Sequence, residues 1–107
     1  IIALIQLELG ISDQLELPLE ETIKLYNKYI DQTKELMLAK NNDYGEAWRE
    51  MRISSYTDLV LMKINRIKQI EGNGGSTLIS EGNDSHYTDI INYAVFALIK
   101  LDEQAIN

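Results

Sequence analysis

The sequence predicts an all-α fold: a small bundle of three long helices with short N-terminal and connecting helices. In three long stretches of the 107 residues, apolar side chains recur every three to four positions, which is the period of an amphipathic helix. Helix-starting Pro18 and the glycine-rich residues 72–76 separate these stretches. No stretch alternates between apolar and polar residues for long enough to indicate a strand.

The first long helix is predicted over residues 18–40. Pro18 suits a first helical position, and Glu20 and Glu21 place negative charge at the positive end of the helix dipole. Residues 41–45 are the stop signal, since they end in a glycine. The apolar stripe facing the core is predicted as Ile23, Tyr26, Ile30 and Met37, flanked by Leu25, Tyr29 and Leu36.

The remaining elements follow from caps and apolar runs. Residues 54–58 offer several capping side chains before a long apolar run, and Asp84 or Ser85 offers a cap before the last one. Apolar residues cover every face of that last run, which predicts the central helix of the bundle. The predicted elements are a short helix over residues 46–52, a long helix over 56–71, a loop to about residue 83 and a last helix over 84–104.

The N-terminal residues resemble a later part of the same chain. Residues 1–8 and residues 95–102 are identical at four of eight positions. We interpret residues 1–9 as the tail of a preceding copy of one module, 10–17 as a linker and 18–107 as a single helical domain. Chance similarity between two amphipathic helix ends is the alternative. A repeated module predicts exposed apolar surface, and therefore a homo-oligomer or pairing between tandem copies.

Composition narrows the function classes. Ten Lys and Arg against 17 Asp and Glu give a formal charge of −7, which disfavours nucleic acid as a partner because its affinity depends on phosphate neutralisation. No apolar run reaches the roughly 20 residues of a membrane span, so no membrane partner is expected. The absence of cysteine excludes thiolate zinc sites and thiol catalysis. A cytoplasmic location is the default expectation, since no signal-peptide pattern is present.

Asp89 and Asn92 interrupt the apolar surface of the last predicted helix on one side. A buried carboxylate without a partner is strongly destabilising, so Asp89 must meet a cation, a metal or several hydrogen-bond donors. Two interpretations remain open. One is a structural ion pair with Lys or Arg on a neighbouring helix, and the other is contact with a bound ligand.

Lys63 and Arg66 lie one turn apart on a partly apolar stripe, so they point partly toward the bundle. Such a pair suits phosphate oxygens, because Arg offers a planar fork and Lys a point charge. The alternative is that their stems cover apolar surface while their charges stay in water. Arg49 and Arg52 add positive charge in the segment before them and favour the phosphate interpretation.

Two further positions have both a structural and a functional interpretation. Asp43 and Tyr44 precede Gly45, and together they fit a helix-ending turn in which the glycine adopts positive φ. Trp48, the single tryptophan, fits a core position but also offers a face for stacking on a base. His86 is more simply a cap or surface residue than a metal ligand.

Five motifs follow one another along the chain: Lys40-x-x-Asp43-Tyr44-Gly45-x-x-Trp48-Arg49-x-x-Arg52, Ser55-x-Thr57-Asp58, Lys63-x-x-Arg66-Ile67, Glu81-Gly82 and Asp89-Ile90-Ile91-Asn92-Tyr93-Ala94. In this order they resemble the DUF1599 group, also described as a nucleotide-modification-associated domain, over about residues 20–103. Members of that group often carry the domain twice, which agrees with the internal repeat.

More distantly, the chain is similar to the all-α nucleotide pyrophosphohydrolases of the MazG and dimeric dUTPase type. Those proteins hold magnesium against a triphosphate with a Glu-x-x-Glu and a Glu-x-x-Asp. Here Lys63-x-x-Arg66 stands where the first pair is expected, and His86-x-x-Asp89 holds the helix position of the second. The resemblance implies Mg²⁺ as a cofactor, held by Glu81 and Asp89.

The sequence thus predicts a nucleotide-binding helical module with a small-molecule nucleotide as its partner. Hydrolysis of a (deoxy)nucleoside triphosphate is the activity that the distant similarity implies. The alternative is a non-catalytic structural or oligomerisation module, in which the same charges form a buried ion-pair network. The predicted nucleotide-binding residues are Asp43, Tyr44, Trp48, Arg49, Arg52, Lys63, Arg66 and Asn92.

Overall fold

The computed structural model describes residues 1–10, 17–73 and 82–106, and every regular element in them is helical. This confirms the all-α prediction. The predicted linker lies mostly outside the described residues, and the division into a repeat tail and one domain stays a prediction. The elements are α1 (Ile2–Leu9), α2 (Leu19–Tyr44), a 3₁₀ helix (Ala47–Glu50), α3 (Ile53–Gly72) and α4 (Asn83–Ile106).

Helix α2 ends at Tyr44, inside the predicted stop signal of residues 41–45 and four residues beyond the predicted helix end at residue 40. Gly45 follows the helix with φ 67°, and its N–H donates to the Asn41 carbonyl at 2.8 Å. Glycine adopts this φ without the steric cost that a Cβ imposes. The helical backbone therefore continues up to the one residue that can leave it in this conformation.

The predicted core-facing stripe of α2 is partly wrong. Ile23 and Tyr26 are about half exposed, whereas Thr33 is buried. Burial of Thr33 is possible because its hydroxyl donates to the Tyr29 carbonyl at 2.6 Å, leaving no unsatisfied donor. The buried side of α2 is thus turned away from Ile23 and toward Thr33.

The start of α3 also differs from the prediction. The helix begins at Ile53, directly after Arg52, and no side chain caps it. Ser55 lies inside the first turn, where its N–H donates to the Arg52 carbonyl at 2.9 Å. In α4, which begins at Asn83, Asp84 and Ser85 similarly lie inside the first turn instead of before it. Hydroxyl-rich segments were wrongly interpreted as caps because the same residues are also tolerated in a first turn.

Helix α4 is central, since it contacts α1, α2, α3 and the 3₁₀ helix. Although apolar residues cover every face of α4, the helix is not buried on all sides, because Val95, Leu98 and Leu101 are 44%, 62% and 48% exposed. The Cα radius of gyration is 15.7 Å, above the roughly 13 Å expected for a compact domain of this length. Among the described residues, no helix combines the length and apolarity needed to cross a membrane.

Candidate functional site

Asp89 joins three helices through its carboxylate. Its Oδ1 lies 3.2 Å from Lys40 Nζ on α2, and its Oδ2 lies 3.0 Å from Lys63 Nζ on α3. The Asp89 side chain is only 15% exposed, so these contacts supply the partners that a largely buried carboxylate requires. One carboxylate and two ammonium groups leave this cluster with a formal charge of +1 in a chain of −7.

Asn92, three positions after Asp89 on α4, faces α2. Its Nδ2 donates to the Thr33 carbonyl at 3.3 Å. Positions three apart on a helix differ by about 60° around its axis. The side chains of His86, Asp89 and Asn92 therefore pass in order from the α3 side of α4 to its α2 side.

A pocket of about 170 Å³ opens beside Asp89 and Asn92, between α2, the 3₁₀ helix and α4. Its walls are mostly apolar and aromatic, with a few amide and charged groups. The volume is below the roughly 300–1,000 Å³ of pockets for drug-sized ligands, so it fits one ring system better than a whole nucleotide. The lining residues are Met37, Lys40, Asn41, Gly45, Ala47, Trp48, Asp89, Asn92, Tyr93 and Phe96.

Trp48 forms an aromatic wall of this pocket. Its ring stacks on Phe96 with a centroid distance of 4.5 Å and an interplanar angle of 11°. The Tyr56 hydroxyl donates to the Trp48 carbonyl, and burial raises the pKa of that hydroxyl. The ring is therefore held by contacts through both its side chain and its backbone.

The segment that carries Trp48 is fastened to the far end of α4. Lys100 Nζ donates to the Arg49 carbonyl at 2.7 Å and to the Met51 carbonyl. The Arg49 guanidinium lies 2.7 Å from Glu46 and 2.6 Å from Glu103. Hydrogen bonds to these two carboxylates raise the pKa of Arg49. This network of charges stabilises the turn that positions the tryptophan.

The predicted basic residues do not share one location. Arg49 pairs with Glu103, whereas Lys63 pairs with Asp89. These two acidic residues are fourteen positions apart on α4, which corresponds to about 21 Å along the helix. Arg66 lines a separate pocket between α3 and α4, together with Lys63. Lys63 is therefore the only one of these three that lies between the two pockets.

The other predicted residues lie apart or outside the described region. Asp43 is exposed in the last turn of α2, and Arg52 is exposed just before α3. The Tyr44 side chain and all of Glu81 lie outside the described residues. Of the predicted nucleotide-binding residues, Trp48 and Asn92 line the first pocket.

Sequence reasoning missed several lining residues of the first pocket. Lys40 opens the segment that was singled out, but its charge was not assigned to the site. Tyr93 lies four positions after Asp89 and Phe96 four positions after Asn92, so helical spacing alone places each beside a predicted site residue on α4. The apolar character of Phe96 favours a core position, whereas Tyr93 belongs to the polar stretch with Asp89 and Asn92 but was not assigned to the site.

The magnesium prediction depends on a residue outside the described part of the chain, Glu81. Both Asp89 oxygens face lysine ammonium groups, which is an unfavourable environment for a divalent cation. Within the described ranges, no three His, Asp or Glu side chains come together as a metal cluster. The described residues thus do not by themselves fit Mg²⁺, and its use stays a prediction.

Comparison with known families gives one match. The family model described as nucleotide modification associated domain 1, DUF1599, matches residues 40–101, which is 62 of the 107 residues. No curated protein and no solved structure matches the chain. The matched region contains Asp89 and both of its lysine partners, and the more distant similarity to MazG-type enzymes stays a prediction.

Proposed function

Since the chain belongs to the nucleotide modification associated domain 1 family, DUF1599, we propose that it binds a nucleotide beside Trp48. The observation that carries the proposal is the joining of three predicted site residues, Trp48, Asp89 and Asn92, around one pocket. They come from two segments far apart in sequence. The family name associates the domain with nucleotide modification, and binding is the part of that function that the described residues support.

The pocket supports binding of the base. Trp48 and Phe96 stack on each other, and the Arg49 guanidinium lies over the Trp48 ring. Tyr93 and the parts of this stacked pair that line the pocket therefore supply the aromatic surface, and contact of a base with such rings is favourable whatever the base. Asn41 and Asn92 supply amide groups at the same pocket, and an amide both donates and accepts hydrogen bonds. A single ring system with polar edges matches this lining.

The lysine pair supports contact with phosphates. Lys40 lines the pocket, Lys63 contacts Asp89 from α3, and the three groups sum to +1. A phosphate group competes with the Asp89 carboxylate for the two ammonium groups, because both anions accept charge-assisted hydrogen bonds. In this proposal Asp89 holds the lysines in position and partly neutralises them until the nucleotide arrives.

Hydrolysis is a second, separate part of the proposal. Pyrophosphohydrolase activity of the kind that the distant similarity implies requires a divalent ion against the phosphates. Release of pyrophosphate from nucleoside triphosphates in the presence of Mg²⁺ is its direct assay. Binding without release leaves the binding proposal intact and removes the hydrolytic one.

Thermal unfolding with and without ligand tests the binding proposal. A ligand at ten times its Kd stabilises the folded state by about 1.4 kcal/mol, which raises the Tm of a domain this size by several degrees. We expect such a rise with at least one common nucleoside triphosphate, with or without Mg²⁺. No rise with any of them at millimolar concentration would contradict the proposal.

A structural and oligomerising role is the second candidate, and it has its own observations. Asp89 and its two lysine partners connect α2, α3 and α4. An ion-pair network that fixes the positions of helices would make contacts of this kind. Leu98 and Leu101 are 62% and 48% exposed on α4, which fits a surface covered by another copy. Thermal unfolding with and without nucleotide separates the two candidates, because the structural role predicts that the ligand leaves the Tm unchanged.

The occupant of that exposed surface is a second copy in this proposal. Leu98 corresponds to Leu4 in the similarity between residues 95–102 and residues 1–8. Leu4 is 2% exposed in α1, which contacts α2 and α4. The α1 segment, which is similar in sequence to residues 95–102 of α4, therefore packs against helices of this same module.

A further inference from the structure

A second pocket lies on the α3 side of Asp89 and carries a concentration of basic groups. It measures about 420 Å³ and is lined in part by Lys63, Arg66 and His86. Asn65 and Gln69 add amide groups to its lining. Two permanent cations and an imidazole in one pocket stand out in a chain whose formal charge is −7, and they favour an anionic occupant.

His86 is the least exposed of the three basic side chains. It is 7% exposed, whereas Lys63 is 27% exposed at its side chain. Imidazole donates at least one hydrogen bond in either protonation state. Arg66 contributes a planar fork of donors and Lys63 a compact ammonium, a combination of donors that suits the oxygens of a phosphate group.

The two pockets adjoin each other through one ion pair. Lys63 lines the second pocket, and its ammonium lies 3.0 Å from the Asp89 carboxylate that lines the first. His86 and Asn92 are six positions apart on α4, or about 9 Å along the helix. One nucleotide is long enough to reach from the aromatic pocket past Asp89 to the basic pocket.

We propose that the basic pocket binds the phosphate groups of the nucleotide whose base lies beside Trp48, with His86 as a third phosphate-contacting residue. This inference rests on the proposed function and specifies its ligand: a nucleoside di- or triphosphate gains more from the two pockets than a nucleoside does. The same phosphate chemistry also admits free pyrophosphate, and the test separates these two sources.

The chain contains one histidine and one tryptophan, so each pocket has a reporter that needs no assignment. The His86 imidazole C–H resonances report the basic pocket by NMR, and Trp48 fluorescence reports the aromatic pocket. The full chain is titrated separately with inorganic pyrophosphate, with the common nucleosides and with their triphosphates. Arg66→Met is compared with Lys68→Met, which removes an exposed charge from α3 two positions away.

We expect pyrophosphate and a triphosphate to shift the His86 resonances saturably, and nucleosides to change only Trp48 fluorescence. Arg66→Met is expected to weaken the pyrophosphate response at least tenfold, and Lys68→Met less than twofold. An unmoved His86 signal with pyrophosphate and triphosphates, or equal weakening by the two variants, would overturn the inference. If Trp48 still responds to a nucleoside in that case, the proposed function stands alone.

The opposite result also separates the two proposals. A His86 response to pyrophosphate without any Trp48 response to nucleosides or triphosphates identifies a site for free phosphate groups. That outcome overturns the shared-nucleotide inference and the proposed nucleotide function together. It leaves the basic pocket as an anion site in its own right.

Discussion

Lys63 and Asp89 form an ion pair, with 3.0 Å between Nζ and Oδ2, at the boundary between an aromatic pocket and a basic pocket. Asp89 lines the first and Lys63 lines the second. Any ligand that uses both pockets must pass this pair. The two residues therefore control nucleotide affinity in opposite directions in our proposal, which makes them the sharpest sites for mutation.

Asp89→Asn is expected to strengthen triphosphate binding by about tenfold, or about 1.4 kcal/mol. The change raises the local charge from +1 to +2 and removes the anion that competes with phosphate for both lysines. Calorimetric titration measures the effect, and Asp31→Asn, which removes an exposed carboxylate from α2, is the control. Weaker binding by Asp89→Asn would show that the carboxylate assists the ligand instead of competing with it.

Lys63→Met is expected to weaken triphosphate binding by about tenfold and nucleoside binding by much less. In our proposal the Lys63 ammonium contacts phosphate, whereas the base contacts the aromatic pocket. Lys68→Met on the same helix is the control for loss of charge. If nucleoside and triphosphate binding were weakened equally, Lys63 would act through the shape of the pocket and not through contact with phosphate.

Lys100→Met is expected to lower the free energy of unfolding by about 1.5–3 kcal/mol, the range for hydrogen bonds to a charged group. The ammonium of Lys100 binds the carbonyls of Arg49 and Met51, so its loss frees the turn that holds Trp48. Urea unfolding measures the change, with Lys34→Met at an exposed site on α2 as the control. An effect no larger than that of the control would contradict the anchoring role.

The Glu8–Lys28 ion pair should make the stability of α1 docking depend on pH. The hydrogen bond from Lys28 lowers the pKa of Glu8 below its ordinary 4.5, and it raises the pKa of Lys28 above 10.5. The pair therefore stabilises the folded chain at neutral pH. The contribution is lost as pH falls through the lowered pKa of Glu8 or rises through the raised pKa of Lys28.

Glu8→Gln tests this dependence. We expect the variant to unfold at a lower urea concentration than the parent at pH 7, and the difference to disappear at an acidic pH below the lowered pKa of Glu8. The difference at pH 7 should be small because both side chains are substantially exposed. An equal difference at the two pH values would show that Glu8 acts through packing and not through its charge.

Leu98→Glu is expected to reduce self-association. In our proposal a second copy covers the apolar surface of α4 around Leu98, and a charge there is costly to bury. Light scattering should give the parent chain a mass above 12.3 kDa that rises with concentration, and the variant a smaller one. Leu38→Glu, at a 53% exposed site on α2, is the control. A monodisperse parent monomer would exclude this surface as an interface.

Several local sequence signals were informative, although the capping signals before α3 and α4 were not. Apolar periodicity predicted the long helices, and residues 41–45 predicted the end of α2 to within four residues. The need of the Asp89 carboxylate for a cation, a metal or several hydrogen-bond donors also followed from sequence, because burial of a lone carboxylate is costly whatever the fold. These are properties of single segments or of single side chains.

Contacts between residues far apart in sequence could not be predicted in the same way. Lys40 and Asp89 are 49 positions apart, and no periodicity selects one lysine over another. The burial of Thr33 in place of Ile23 depends on how α2 is rotated against α4, where Asn92 donates to the Thr33 carbonyl. Such rotation is set by packing between helices and not by the pattern of one helix.

The most direct test of the nucleotide-binding claim is an equilibrium titration of Trp48 fluorescence with nucleoside triphosphates. Trp48 is the only tryptophan and lines the proposed base pocket, so the signal comes from the site itself. We predict a saturable change with at least one common triphosphate, weakened by Lys63→Met and retained by Lys68→Met. An unchanged spectrum with every common triphosphate at millimolar concentration, in a chain shown to be folded, would contradict the claim.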